Sequence, residues 1–475
     1  LQRVFGLAGT VALTGVALAL FRAASLNPPE AYLLGNWPAP FGIVLMLDRL
    51  AALLVLLTMV LALFVQLYAI GTGWDAKGRH FHALFLFQLM GLSGAFLTGD
   101  LFNLFVFFEV LLIASYGLMI HGGGKDRLRA GVQYVAFNLV GSTLFLFALA
   151  TIYSVTGTLN MADLAVKVAV LPQGDMALLR VGAMLLLLVF AIKGALVPLQ
   201  FWLPGTYAAA PGPVAALFAV MTKVGAYAVI RVYTLIFPPT TAAIGPMIGD
   251  VLLPAALVTL VIGAIGVMGA GTLARLVAFA AVASMGTLFT AIALFTPQGT
   301  AAALYYLLHS TFATAILFLL ADLVLARRTT GTLRQALPPL AQTGLLAAVF
   351  FAGAIALAGM PPLSGFIGKL LILQAARDHV ATVWPVILVT SLLMILGFAA
   401  AGSTLFWKAQ ATPRPLGPEP PAPAALPFVA VFGLLACLVA LTVFAGPVMR
   451  TLDATAAGLY APAPYIAANA LPAQD

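Results

Sequence analysis

The chain has 475 residues, of which 63% are hydrophobic and only 8% are charged, and its formal net charge is +8. A soluble domain carries roughly 25% charged residues and could not bury so much apolar surface, so this composition indicates an all-α polytopic membrane protein. The basic excess falls mainly in one set of loops and does not favour nucleic-acid binding. With a single cysteine, Cys437, and five scattered histidines, we expect no thiolate metal site, no haem and no other cofactor.

Apolar runs divide the chain into about thirteen predicted membrane-spanning helices, each near the roughly 20 residues that a bilayer requires. In chain order they cover residues 4–21, 42–70, 82–98, 101–120, 131–155, 177–200, 213–236, 251–270, 274–295, 302–325, 341–375, 382–406 and 427–448. The connections are too short for a separate catalytic domain. Residues 1–475 are therefore predicted to form one transmembrane domain.

Two of these segments contain prolines that predict broken helices. The run at 341–375 includes GMPPLSG at 359–365, where two prolines remove backbone donors. Pro198 and Pro204 follow Lys193 in a similar way. Discontinuous helices at bilayer depth are tolerated where they line a cavity, and transporters use them at binding sites. The breaks therefore indicate a transport site.

The loops predict the orientation in the membrane, because the side richer in Lys and Arg is cytoplasmic by the positive-inside rule. The richer side carries Arg3, Lys77, Arg79, Lys125, Arg127, Arg129, Arg275, Arg327, Arg328, Arg334, Lys408 and Arg414. The poorer side carries Arg22, Arg49, Lys167, Arg180, Arg231, Arg377 and Arg450. This assignment puts Leu1 in the cytoplasm and Asp475 outside, which requires an odd number of spans.

Four charged residues lie inside apolar runs long enough to cross the bilayer: Glu109, Lys193, Lys223 and Lys369. A charge at mid-bilayer costs at least about 2.5–3.5 kcal/mol on insertion scales, so such residues face a partner or a wet cavity. His309, in another apolar run, is of a type that carries protons near neutral pH. Together these five residues predict a proton relay in a cation/proton transporter.

Four of these residues also have a purely structural interpretation. Glu109 and Lys193 could form an ion pair that only fixes helix packing. Lys223 could extend its side chain to the membrane interface, and His309 could be a hydrogen-bonded core residue. In the transport interpretation, Glu109 and Lys193 also control the release of a proton. A carboxylate facing Lys193 favours its protonated form and loss of hydration favours the neutral form, so movement of the partner would gate a proton.

Other acidic residues lie at predicted helix ends and are interpreted as peripheral: Asp48, Asp100 and Asp322. The first two suit the positive end of a helix dipole. Asp100 has Thr98 and Asn103 nearby, so an auxiliary polar role where ions enter is the alternative for this residue.

Glycine-rich stretches do not make convincing nucleotide sites. GAGTLA at 269–274 formally fits a dinucleotide fingerprint, but it lies between two apolar helices with no strand before it. Gly263, Gly266 and Gly269 instead predict close helix packing.

Several stretches resemble a known family of transport proteins. At residues 99–123, GDLFNLFVFFEVLLIASYGLMIHGG is similar to the helix-five signature of the D-type component of Mrp-type multisubunit Na⁺(K⁺)/H⁺ antiporters. Residues 35–57, which include WPAPFGI, and residues 157–169 resemble the same component. Residues 191–233 and 359–373 resemble the wider antiporter-like family. That family includes membrane subunits of respiratory NADH:quinone oxidoreductase and of membrane-bound hydrogenases.

The resemblance implies fourteen helices with two inverted five-helix repeats, here at approximately 82–236 and 251–406, each containing one broken helix. The family's first helix is absent from the sequence, consistent with an internal start and a cytoplasmic Leu1. At Ser284, some respiratory relatives carry an ionisable histidine. A serine can only hydrogen-bond or hold water there, so the resemblance implies a water-mediated relay at this auxiliary position.

The resemblance also implies roles for the buried ionisable residues. Glu109 matches the family's glutamate, and Lys193 matches the lysine on the first broken helix. Lys223 matches the lysine on the next helix, His309 the central histidine, and Lys369 the residue on the second broken helix. A polar axis half-way through the membrane would then run along these side chains.

The leading hypothesis is a D-type, proton-translocating subunit of a secondary Na⁺/H⁺ antiporter in the bacterial inner membrane, driven by the proton gradient and not an enzyme. Its expected partners are the other antiporter subunits, lipid, H⁺ and Na⁺, with K⁺ or Li⁺ as alternatives. A second hypothesis is a proton-pumping subunit of a redox-driven complex. A third is a scaffold whose buried charges only lock helices together.

Overall fold

The computed structural model describes residues 1–171, 176–241, 244–328, 330–413 and 425–469. These residues form eighteen α-helices and one two-stranded antiparallel sheet. Eleven of the described helices are long and apolar enough to cross a membrane, and three shorter apolar helices accompany them. This is the architecture of a multi-pass membrane protein.

The elements follow one another closely along the chain. The first half contains α1 (Gln2–Leu26), β1 (Glu30–Leu33), β2 (Val44–Leu47), α2 (Arg49–Thr72), α3 (Phe81–Leu97), α4 (Leu101–Met119), α5 (Lys125–Thr156), α6 (Met161–Ala169), α7 (Met176–Lys193), α8 (Trp202–Ala209) and α9 (Gly212–Leu235). The second half contains α10 (Met247–Gly269), α11 (Leu273–Ile292), α12 (Pro297–Leu325), α13 (Thr343–Ala358), α14 (Ser364–Ala375), α15 (Val380–Gly402), α16 (Ala425–Val443), α17 (Ala445–Leu459) and α18 (Ala463–Asn469).

The predicted helical segments are all helical, with two notable differences at their ends. The segment 42–70 begins as strand β2, which pairs with β1, and becomes helix α2 only after Asp48. The segment 177–200 stops being helical at Lys193, before Pro198. The count of about thirteen spans is not confirmed, since eleven described helices meet the length requirement. Asp475 lies outside the described residues.

Both predicted helix breaks are present, and they occupy equivalent places in two similar runs of helices. In the run from α3 to α9 the pair α7–α8 is broken, and in the run from α10 to α15 the pair α13–α14 is broken. Each run also contains an isolated backbone bridge before its second helix, Asp100 with Asn160 and Thr272 with Thr332. The repeat boundaries at 82–236 and 251–406 stay a prediction.

Helices α9 and α12 form the centre of the bundle. Every residue of α9 is buried, as are nearly all of those in α12, and the two helices pack against each other. α1 and α5 lie at the periphery, with many large apolar side chains exposed. Any charge carried by α9 or α12 is therefore held deep in the protein.

Close packing of α10 against α11 depends on glycines. A Cβ atom at Gly263 would collide with the backbone of Ala283, and one at Gly286 would collide with the backbone of Leu260. The packing role predicted for Gly263 is therefore confirmed, and Gly266 faces the Phe279 ring in the same way. The prediction for Gly269 is wrong, because a Cβ there would meet no atom of another helix among the described residues within 4 Å.

We expect Gly263→Ala to lower the free energy of unfolding by about 1–3 kcal/mol, the usual cost of overpacking a core. Thermal denaturation of the purified protein in detergent would measure the loss. Gly269→Ala, on the same helix, is the matched control and should leave the denaturation midpoint unchanged. Equal effects of the two substitutions would contradict the packing argument.

A polar chain, buried except for the exposed Arg3, joins the helix ends near Leu1. Arg3 of α1 donates to Asp75 through Nε at 2.5 Å and Nη2 at 2.9 Å. His82 Nε2 lies 3.2 Å from the same carboxylate, and His82 Nδ1 lies 3.3 Å from Gln66 Nε2. Burial alone would raise the pKa of Asp75, but the hydrogen bonds from Arg3 and His82 outweigh it and hold the pKa below its ordinary value.

This shift predicts an acid-dependent loss of stability. A carboxyl whose pKa is lowered by folding stabilises the protein above its ordinary pKa of about 3.9, and this contribution disappears as the pH falls through the folded value. We therefore expect the temperature of the denaturation midpoint to decrease when the pH is lowered below about 4. Asp75→Asn should make the midpoint less dependent on pH in that range. Asp126→Asn, at the exposed start of α5, should leave the profile as in the wild type.

Candidate functional site

Lys193 is the last residue of α7, and its side chain is buried. Its Nζ donates a hydrogen bond of 2.9 Å to Oδ1 of Asn138 on α5. The chain leaves helical geometry immediately afterwards, and the last carbonyl groups of α7 accept hydrogen bonds from backbone N–H groups of the turn that follows. The ammonium group is thus held by a neutral amide oxygen on a neighbouring helix.

Glu109 lies on α4 and is half-buried. Its carboxylate accepts a hydrogen bond from Oγ of Ser142, which lies four residues after Asn138 on α5. Residues four apart share one helix face, so Asn138 and Ser142 together connect Glu109 with Lys193. Among the described residues Glu109 makes no direct ion pair with Lys193, and the two are instead bridged by α5.

Lys223 lies in the middle of α9 with only 2% of its surface exposed. Its Nζ lies 3.3 Å from the thioether sulfur of Met285 on α11, a weak acceptor. Ser284, the adjacent residue, is also buried, and its hydroxyl has no hydrogen-bond partner among the described residues. Extension of Lys223 to the membrane surface is therefore excluded by its burial.

His309 is completely buried in α12. Its Nδ1 lies 2.9 Å from Oγ of Ser364, the first residue of α14. Its Nε2 has no hydrogen-bond partner in the described part of the chain and faces Gly365, where a Cβ would come within 2.8 Å of it. The imidazole therefore lies directly against the second helix break.

Lys369 lies on α14 and is buried. Its Nζ donates to the backbone oxygen of Ala358 at 2.8 Å and to Oγ of Ser391 on α15 at 2.7 Å. Ala358 is the last residue of α13, and Gly359 follows it with φ +81°. A Cβ at Gly359 would come within 2.6 Å of the Lys369 side chain, so this turn needs glycine for both its conformation and its space.

Each broken helix carries a buried lysine beside its break. Lys193 is the last residue of the first half of its broken helix, and Lys369 belongs to the second half. The Lys369 ammonium group reaches the backbone oxygen of Ala358 at the C-terminal end of α13, where partial negative charge favours a cation. The Lys193 ammonium group is held by the side chain of Asn138 instead.

Asp100 caps the start of α4, as predicted, by accepting from the backbone N–H of Asn103 at 2.8 Å. Burial raises the pKa of Asp100 to about 6, although backbone N–H groups of Asn103 and Phe102 oppose the shift. Asp100 makes no contact with Glu109 or Lys193 among the described hydrogen bonds, so its auxiliary role stays a prediction.

Asp48, interpreted as peripheral, is in fact buried against a charged partner. It caps α2, and Nη2 of Arg231 lies 2.7 Å from each of its carboxylate oxygens. Arg231, which was counted among the charges of the less basic side, belongs to α9, and its charge is neutralised in the protein. Asp322 accepts from the hydroxyl of Tyr68 at 2.8 Å and from the indole of Trp74, rather than facing solvent.

The five relay candidates thus lie on five different helices. Four are buried and Glu109 is half-buried. Polar contacts join Glu109 to Lys193 through α5, and His309 to the second break through Ser364. No direct hydrogen bond connects Lys223 with Lys193 or His309 in the described residues.

The sequence analysis did not predict four polar residues that contact the relay candidates: Asn138, Ser142, Ser364 and Ser391. Asn138 and Ser142 were detectable as uncharged polar residues at helical spacing in an apolar run.

The chain is similar in sequence to a known protein family. The sequence profile of a family described as “NADH:quinone oxidoreductase/Mrp antiporter, TM” matches residues 98–395, more than half of the chain. The chain belongs to this family. The matched part contains both broken helices and all the relay candidates, so the resemblance found in the sequence is confirmed.

Individual members of the family are similar over most of their length. The probable D-type component of a K⁺/H⁺ antiporter from Rhizobium meliloti is 39% identical over 97% of this chain and 91% of its own length. The D-type component of a Na⁺/H⁺ antiporter from Bacillus subtilis is 40% identical over 87% of this chain and 84% of its own length. A chain of the Mrp complex from a Dietzia species is 29% identical with a TM-score of 0.89, covering 98% of this chain and 94% of its own.

The bond between Asn138 and Lys193 leads to a stability prediction. Asn138→Leu keeps the branched shape of the side chain but leaves a buried ammonium group without its side-chain acceptor, so we expect a loss of about 1–3 kcal/mol in the free energy of unfolding. If the loss arises from this bond, Lys193→Met should recover part of it in the double variant. Gln133→Leu, on the exposed face of the same helix, is the control and should have little effect. Additive effects of the two single substitutions would contradict the assigned contact.

Proposed function

We propose that this chain is the proton-translocating subunit of a multisubunit monovalent cation/H⁺ antiporter in a cell membrane, with Leu1 on the cytoplasmic side. The observation that carries the proposal is the pair of buried lysines, each on a half-helix that adjoins a helix break. Both lie beside helix breaks, where the backbone can change its hydrogen bonds with little loss. Secondary transporters use such discontinuous helices at their binding sites.

In this proposal Glu109 and Lys193 exchange a proton by way of the α5 face. The ammonium donates to Asn138, while Ser142 holds the carboxylate one helical turn away. A rotation of the flexible lysine side chain from Asn138 towards Ser142 would shorten its distance to Glu109. Transfer of the proton then neutralises both groups together, so the low-dielectric interior does not have to hold a lone charge.

The second part of the relay runs from Lys223 through His309 to Lys369. A cavity of about 10 Å³ lies beside Lys193 and is also lined by Thr222, the residue before Lys223. That volume is close to the space of one water molecule, which supports a water-mediated step between the two lysines. His309 offers two ring nitrogens, one to Ser364 and one towards the second break, and can therefore pass a proton between them.

The names of the similar proteins support both the partners and the transported ions. D-type components of Na⁺/H⁺ and K⁺/H⁺ antiporters are its relatives, so we propose that it assembles with other antiporter subunits and exchanges protons for Na⁺ or K⁺. Transport through the whole complex, and not catalysis of a chemical reaction, is then its activity. The redox-driven alternative has less support, because the similar proteins described above are antiporter subunits.

Exchange assays on the reconstituted complex test the relay. We expect Lys193→Ala, and separately Glu109→Gln, to slow cation-dependent proton flux into vesicles by about a hundredfold, the lower range for losing a positioned proton-transfer group. Lys167→Ala is the matched control. This half-exposed lysine pairs with Asp163 within α6 at 3.1 Å and should transport normally.

Assembly must be measured on the same samples by co-purification of the other subunits. Normal assembly with lost exchange is the expected result. Near-normal exchange by Lys193→Ala would refute the relay, and a loss of assembly with unchanged flux per assembled complex would favour the scaffold interpretation.

A further inference from the structure

A cavity of about 320 Å³ lies at the end of the bundle where α1 stops and α2 begins. Its walls also include the last part of α9, the segment between α17 and α18, and the start of α18. The relay candidates do not line it. This cavity is therefore separate from the proposed transport path, and its function does not depend on the proposed relay.

The cavity carries more positive than negative charge. Its walls contain the guanidinium groups of Arg49 and Arg231 and the carboxylate of Asp48. Asp48 pairs with Arg231 at 2.7 Å, whereas Arg49 donates only to the backbone oxygens of Ala24 and Ser25 among the described contacts. One guanidinium charge thus has no acidic partner within the described part of the chain. The surplus favours an anion over a cation or a neutral ligand.

Two buried polar atoms in the wall have unused hydrogen-bonding capacity. Neither Nε of Arg231 nor the hydroxyl of Tyr465 has a hydrogen-bond partner in the described residues. Both residues are more than nine-tenths buried, and the Arg231 guanidinium carbon lies 4.9 Å from the centre of the Tyr465 ring. Leaving a buried donor without a partner is unfavourable, so a ligand that accepts from both would stabilise this region.

We propose that this cavity binds a phosphate group, carried by an anionic phospholipid or free in solution. A phosphate offers several acceptor oxygens, and guanidinium groups recognise it with paired, charge-assisted hydrogen bonds. Basic pockets between membrane helices bind anionic lipid headgroups by this chemistry. The ends of α1 and α2 are also where headgroups meet a membrane protein, and Leu50, Leu235 and Leu459 offer apolar wall to a lipid.

The test compares lipid retention by variants of the full complex. Delipidated complex is titrated with phosphatidylglycerol and examined by native mass spectrometry, and in parallel with inorganic phosphate by thermal shift. Arg49→Gln should weaken binding about tenfold or more, and Tyr465→Phe about threefold, because a charged and a neutral hydrogen bond are lost respectively. Arg22→Gln, exposed near the end of α1 but outside the cavity wall, should bind as the wild type does.

The two probes distinguish the source of the phosphate. Arg49-dependent binding of phosphatidylglycerol without a response to inorganic phosphate would assign a lipid headgroup, and an Arg49-dependent response to both would assign phosphate itself. If Arg49→Gln assembles poorly, Tyr465→Phe supplies the comparison. Equal binding by wild type, Arg49→Gln and Tyr465→Phe, or no binding of either probe, would overturn the proposal.

Discussion

The cost of holding an ammonium group away from water shapes the centre of this protein. An ion moved from water into a low-dielectric interior loses several kcal/mol of hydration even after relaxation, so a buried lysine needs acceptor atoms within hydrogen-bond reach. An unbroken helix has none to spare, because its carbonyls are used internally. Ending α13 at Ala358 leaves a backbone carbonyl that accepts from Lys369, whereas beside the first break Lys193 finds its oxygen on α5. Each break is thus accompanied by a buried lysine with its own acceptor.

Helix backbones pack in direct contact with one another beside these breaks. A Cβ at Gly225 of α9 would approach the backbone nitrogen of Gly194 to 2.7 Å, just after Lys193. At the second break a Cβ at Gly365 would collide with the backbone oxygen of Ala356. Glycine at these positions lets helix backbones touch, as in other membrane helix interfaces. Such contact leaves no room for bulk water beside the breaks, so in the proposed relay a proton would pass by side-chain motion or through single water molecules.

Hydropathy predicted the helices well because crossing a bilayer imposes one length and one composition, and prolines predicted both breaks because they remove backbone donors. The partners of the charges were harder to predict. Asn138 and Ser142 are uncharged, so their presence in an apolar helix costs little and gives a weak signal. Arg231 lies near the end of its apolar run, where a surface position is the ordinary interpretation. Only the tertiary structure brings it to Asp48, 183 residues away. Lys193 and Glu109 were expected to meet directly, and the sequence carried no sign that α5 would lie between them.

The buried arginine and the buried lysines of this chain have different kinds of partner, and the difference fits different functions. Arg231 is paired with a carboxylate, and a guanidinium is always charged, so this contact can only be a fixed one that joins α9 to α2. The three lysines contact neutral atoms instead: an amide oxygen, a thioether sulfur, a backbone carbonyl and a hydroxyl. Each of these atoms accepts a hydrogen bond from a neutral amine as well as from an ammonium. Losing the proton therefore leaves no buried carboxylate unpaired, which is the condition a group must meet to change its charge within the membrane.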